Sequence, residues 1–179
     1  MQIINYKLMS RKKYLIIAVL ILFAVITRLM PHPANFTAIG ALALFSGAVI
    51  ADKRFAFLIP IAAMLAGDAI IGFHSSMIPV YLSFAITVFI GIKMIRQINL
   101  LTVPAASLLA SIIFFLITNL PFWYADISLY PLTLKGTLES YTAAIPFFAN
   151  QVAGDMFYCA TLFGAYSIVK QRYFSSVNS

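Results

Sequence analysis

Six apolar runs, each cut from the next by a short polar or basic break, dictate most of what this chain can become. They cover roughly residues 12–30, 36–52, 54–72, 77–96, 100–121 and 142–169. About 17–25 helical residues cross a hydrocarbon core of about 30 Å, so each run is a candidate span, the second a short one. The breaks fall at Pro31-His32-Pro33, Asp52-Lys53-Arg54, His74-Ser75-Ser76, Arg96-Gln97 and the longer stretch 122–141. Pro60, Pro104 and Pro146 bend or start helices rather than end the pattern. The chain is 63% hydrophobic and 9% charged with mean hydropathy +0.98, whereas globular domains carry about 25% charged residues. That excess of apolar surface suits only lipid. The sequence therefore predicts an all-α polytopic membrane protein, one integral membrane domain over 1–179 with six transmembrane helices.

The net charge of +7 is not a nucleic-acid face, because the basic residues sit in clusters between apolar runs. With the N-terminus in the cytoplasm, the inner segments hold ten of the twelve cations: Lys7, Arg11, Lys12, Lys13, Lys53, Arg54, Lys93, Arg96, Lys170 and Arg172. Only Arg28 and Lys135 fall outside. Such a bias orients a membrane protein and requires an even number of crossings, hence both termini inside. Arg11-Lys12-Lys13 before the first apolar run resembles a signal peptide. No small-x-small cleavage site follows, and the run reads as an uncleaved first helix. The single cysteine, Cys159, excludes an internal disulfide, and its place in an apolar run suits helix packing. No internal repeat is visible, which speaks against an inverted-repeat secondary transporter.

Asp68 and Asp155 stand inside apolar runs, each after a glycine. A central carboxylate costs about 2.5–3.5 kcal/mol on insertion scales, so it faces a cavity or a partner. The preceding small residue lets a helix or ligand approach. The orientation gathers Arg28, His32, Asn35, Asp68, His74, Tyr81, Asn119, Trp123, Asn150 and Asp155 in the outer half, with Asp155 roughly 20 Å along a helix entered at residue 142. The inner half is nearly free of ionisable groups. That asymmetry describes a substrate pocket open to the outside. Each residue also has a plainer reading. Arg28 could bridge Asp68 or Asp155, the asparagines could join helices, and Tyr81 and Trp123 could anchor at the interface. The stretch 121–140, with Trp123, Tyr124, Tyr130, Pro131 and Gly136, reads as an outer loop or lid. Ala43, Gly47 and Ala51, and again Ala160 and Gly164, are spaced for close helix contact, within the bundle or with a membrane partner.

The run from Arg28 to Gly47 is distinctive. Together with Gly67-Asp68, Gly72-Phe73-His74, Tyr81, Thr118-Asn119, Tyr130-Pro131, the stretch Ala144 to Asn150 and Gly154-Asp155, it resembles a bacterial family of small transport proteins without assigned substrate. That family looks related to the substrate-binding S components of energy-coupling-factor (ECF) vitamin transporters. The resemblance covers about residues 14–169. It implies a six-helix protein of the bacterial inner membrane, an outer pocket for a vitamin or precursor, and work with a transmembrane scaffold and two ATPases. The chain has no GxxxxGK[ST] loop, so ATP hydrolysis would come from those partners. Two departures matter. Helix one offers Ala18 and Ala24 instead of the AxxxA contact pattern of such proteins, and small solitary cobalamin transporters of this kind work without a module. The chain begins Met1-Gln2, without the early histidine of cobalt and nickel S components.

The leading expectation is capture and uptake of a small polar molecule, with no cofactor, no resident metal and no catalysis. A proton- or metal-coupled secondary transporter is the alternative, the latter using His32, His74, Asp68 and Asp155. An intramembrane enzyme using the two aspartates or Ser46 ranks below, since GxSxG and HExxH are absent.

Overall fold

The computed structural model describes residues 2–123 and 129–175, with side chains from 14 to 123 and from 129 to 171. Tyr124 lies outside the described residues. Those described form six helices and no strand: α1 Gln2–Leu29, α2 Ile39–Val49, α3 Lys53–Ile71, α4 Met77–Met94, α5 Thr102–Thr118 and α6 Leu134–Ser175. Three of them, α3, α4 and the Leu134–Gln171 stretch of α6, are long and apolar enough to cross a membrane.

Three helices depart clearly from the sequence reading, the first of them α1, which starts at Gln2, ten residues before the expected 12. The second helix has 11 residues, not the 17 of 36–52, and covers about 16 Å. Its start is fixed by Thr27, whose Oγ1 accepts from the Ala38 N–H at 3.2 Å. Asn35, at φ 65°, turns the chain just before it, in a left-handed conformation that asparagine tolerates better than most. Its end is fixed by Asp52, whose carboxylate accepts from the Arg54 N–H at 3.0 Å and opens α3. The sixth helix starts at Leu134, eight residues before the expected 142. Thr133 caps it, accepting from the Gly136 N–H at 3.2 Å. Gly136 is no helix breaker here: a Cβ on it would stand 2.0 Å from the Pro131 carbonyl, so the glycine makes room for the incoming chain. The expected loop over 134–141 is helix, which also places Asp155 deeper along α6, about 32 Å from its start.

The bundle is organised around its shortest helix. α2 touches each of the other five, and Ile39 and Ala41 to Gly47 are buried. A Cβ on Gly47 would stand 2.1 Å from the Val88 carbonyl oxygen, and one on Gly91 would stand 2.3 Å from that of Leu44. The two glycines thus let the α2 and α4 backbones touch. Ala51 lies beyond α2, and Gly164 meets nothing within 4 Å, so the small-residue spacing packs the bundle at Gly47 and not at Gly164. Polarity runs inside out. Ser46, Asp68, Ser83, Thr87, Ser107, Ser111 and Asp155 are buried, while Leu15, Val19, Leu22, Leu58, Leu82, Phe89 and Phe157 are exposed. Most of the buried hydroxyls are spent within the fold. Ser83 and Thr87 bond carbonyls one turn back, and Ser46 donates to the Ala56 carbonyl of α3 at 2.7 Å. Ser46 is thereby a helix tie.

Candidate functional site

The bundle has two unlike ends. One carries His32, His74 and Asn119 at the α1–α2, α3–α4 and α5–α6 connections; the other carries Lys53, Arg54, Arg96 and Lys170. At the histidine end two cavities of about 300 and 270 Å³ adjoin and share Asn35, His74, Val80 and Phe114. The first continues along Thr118, Asn119, Phe147, Phe148 and Gln151. The second continues along Arg28, His32, Thr37 and Met64. Two larger cavities lie elsewhere. One of about 660 Å³ at the lysine end is lined by Arg96, Gln97 and Lys170. Another of about 410 Å³ is largely apolar, between the start of α5 and α6 around Pro104, Ala160 and Gly164.

One wall of the histidine-end cavity is a closed ionic network. Asp68 on α3 is 0% exposed. Its Oδ1 pairs with Arg28 Nη2, and its Oδ2 accepts from the Tyr81 hydroxyl at 2.5 Å. Arg28 is 15% exposed and also donates to the Met64 carbonyl at 3.2 Å. Gly67 is what admits it, since a Cβ there would stand 3.0 Å from Nη1. His74 Nε2 lies 3.8 Å from Asp68 Oδ1, between this network and the cavity. The ring nitrogens of His32 lie 3.1 Å from the Arg28 carbonyl oxygen and 2.8 Å from that of Pro33. Arg28 therefore bridges to Asp68 and not to Asp155.

The second carboxylate lies apart from this network, behind Gln151 of the cavity lining. Asp155 on α6 is 6% exposed and accepts from the Ser111 hydroxyl of α5 at 2.8 Å. Gln151, one turn earlier and itself a cavity residue, lies beside it. Its Oδ1 occupies the space a Cβ on Gly40 would need, 2.2 Å away, which puts it against the first turn of α2. An anion there meets the positive end of the helix dipole. Among the described residues, no cation lies within ion-pair distance of Asp155. Gly154 next to it makes room for Phe36, whose Cα would lie 3.0 Å from an added Cβ. Ser107 Oγ, one turn from Ser111, is buried and has no hydrogen-bond partner among the described residues, although the Cys159 thiol is beside it.

Of the ten residues expected at a site, Arg28, His32, Asn35, His74 and Asn119 line the joined cavities. Asp68 and Tyr81 stand behind Arg28, and Asp155 stands behind Gln151. Asn150 projects from another face of α6 and lines neither cavity. Trp123 works as a cap: its indole N–H donates to the Ile117 carbonyl at 2.7 Å, while Tyr141 takes that of Leu116 and Asn119 that of Phe115. Together they satisfy carbonyls that the end of α5 leaves open. The four candidate metal ligands do not converge, and among the described residues no three of His, Cys, Asp or Glu are grouped to hold a metal. Gln151, Ser111 and the Phe114, Phe147 and Phe148 faces are the cavity and support residues that the sequence reading passed over. The signal for Gln151 was its spacing, four before Asp155 on one helix face.

Comparison with curated proteins and with solved structures finds no match. A family model does match over residues 9–177, nearly the whole chain, and the protein belongs to that family, the family of unknown function DUF6580.

Proposed function

We propose that this chain is a six-span membrane protein, with both termini cytoplasmic, that binds a small molecule in the histidine-end cavity from the outer side. The observation that carries this reading is the joined cavity itself. Asn35, His74, Asn119 and Gln151 offer hydrogen bonds, and Phe114, Phe115, Phe147 and Phe148 offer apolar faces. Because Asp68 already neutralises Arg28, the lining suits a neutral or weakly charged polar compound with an apolar part, such as a vitamin or precursor. The inside-out polarity and the three long apolar helices support the membrane setting. α2 is too short to span alone, but its flanking irregular backbone is compatible with membrane depth where protein shields it. The likeness to ECF S components adds a scaffold and ATPases as partners and uptake as the purpose.

Topology is checked by cysteine labelling in a Cys159→Ala background. A cysteine at Ser76 reacts with an impermeant thiol reagent applied to intact cells, and one at Gln97 reacts only after permeabilisation. The opposite pattern removes the outward pocket. Ligand binding is checked by native mass spectrometry of protein purified in mild detergent, which identifies a co-purified compound for titration. Losing one cavity hydrogen bond costs about 1.4 kcal/mol or more, so Asn35→Ala and Gln151→Ala each weaken its affinity about tenfold. Ser167→Ala, on the apolar cavity near the other end, leaves affinity unchanged. Unaltered affinity in both cavity variants would place the ligand elsewhere.

A further inference from the structure

We propose that Asp155 is a proton-binding site, its carboxyl taking up and releasing a proton beside the ligand cavity. The case begins with its surroundings. α2 and α5, the helices packed against this part of α6, contain no Asp, Glu, His, Lys or Arg within Ile39–Val49 and Thr102–Thr118. On α6 the titratable neighbours are Cys159, one turn on, and Tyr158, whose ring packs on Phe23 and Phe36. The cation of α1, Arg28, is held by Asp68. A buried carboxylate without a countercharge is expensive to keep ionised, and a proton is the smallest group that relieves it.

Hydrogen counting supplies the mechanism. Ser111 Oγ lies 2.8 Å from Asp155 Oδ2 and 3.0 Å from the Ser107 carbonyl oxygen, yet a hydroxyl has one hydrogen to give. With Asp155 ionised, that hydrogen goes to Oδ2. When a proton from cavity water binds Oδ2, the new O–H donates to Ser111 Oγ, and the Ser111 hydrogen rotates to the Ser107 carbonyl. One O–H bond breaks in the hydronium ion that delivers the proton, leaving water, and one forms at Oδ2; no other protein group gains or loses a proton, and no heavy atom has to move. Oδ1, at the first turn of α2, meanwhile favours the anion. The two oxygens thus serve the two states. Gln151 touches both the carboxyl and the cavity, which gives protons access and lets a ligand sense which state is present. The coupling to ligand rests on the proposed cavity function; the proton site does not.

The test is infrared spectroscopy of the purified protein in lipid, titrated with pH, as the difference between wild type and Asp155→Asn. A protonated-carboxyl band belonging to Asp155 appears at low pH, shrinks as pH rises, and is absent from the variant. Ser111→Ala keeps the band but moves its titration. Should Asp155→Asn fail to fold, dicyclohexylcarbodiimide, which attacks protonated carboxyls in apolar settings, is reacted with wild type across pH and mapped by peptide mass spectrometry. Label on Asp155 that falls with rising pH is the expected result. A band or label that is missing, or constant over the whole range, overturns the proton site. Titration that a bound ligand leaves unshifted retains the proton site and removes the coupling alone.

Discussion

Asp68→Ala lowers the stability of the protein by about 3–5 kcal/mol, because it strands the Arg28 guanidinium and the Tyr81 hydroxyl in a buried setting. The same substitution at an exposed ion pair is worth about 0–1 kcal/mol, and Lys135–Glu139, at 4.0 Å on the surface of α6, provides that comparison within one chain. Asp68→Asn keeps the shape and an acceptor for Tyr81 but removes the charge, so it falls between. The informative variant is the pair Arg28→Met with Asp68→Leu. Replacing both charges by apolar groups of similar volume is often neutral, so the double variant recovers most of what Asp68→Ala loses. Thermal unfolding in detergent, read alongside ligand affinity, checks this. A double variant as unstable as the single one would mean that the network does more than hold α1, α3 and α4 together. Asp68→Ala melting with wild type would mean that Arg28 finds another acceptor.

The two aspartates drew attention for the same reason, and the fold separates them. Each is an acid in an apolar run after a glycine, and nothing in that pattern distinguishes an ion-paired carboxylate from one without a cation. The difference is tertiary. α1 brings Arg28 over Gly67, where it reaches Asp68, whereas α2 offers Asp155 only its N-terminal turn and α5 only Ser111. Element existence was more legible than element length, since six apolar runs became six helices. The early start of α6 escaped because Pro131 and Gly136 look like loop residues until Pro131 is seen to lie against Gly136. α2 was overcounted because Phe36 leads into the apolar run and Ile50 and Ala51 extend it, while the left-handed turn at Asn35 keeps residues 36–38 out of the helix and the helix stops at Val49. Trp123 read as an interface or pocket aromatic, but an indole N–H beside the open end of α5 is a cap, and that is visible only once the end of α5 is located.

The largest packing effect falls where two backbones meet. Gly47→Ala and Gly91→Ala each push a methyl group to within about 2 Å of a main-chain carbonyl, 2.1 Å at Val88 and 2.3 Å at Leu44. No rotamer change relieves a clash with backbone, so α2 and α4 have to separate. Overpacking typically costs about 1–3 kcal/mol, and more where neighbours cannot yield. Here the helix that moves is the one contacting all the others. Each alanine therefore sits at or beyond the top of that range, read as a fall in melting temperature and a loss of folded protein in detergent. The two variants are not independent. One separation of the helices accommodates both methyl groups, so Gly47→Ala with Gly91→Ala costs clearly less than the sum of the singles. Gly164→Ala gives the contrast: with nothing within 4 Å of the added carbon, it gains helix propensity of about 0.5–1 kcal/mol and is stabilising. If Gly47→Ala and Gly91→Ala both melt with wild type, α2 and α4 are not in backbone contact, and the central position of α2 falls with them.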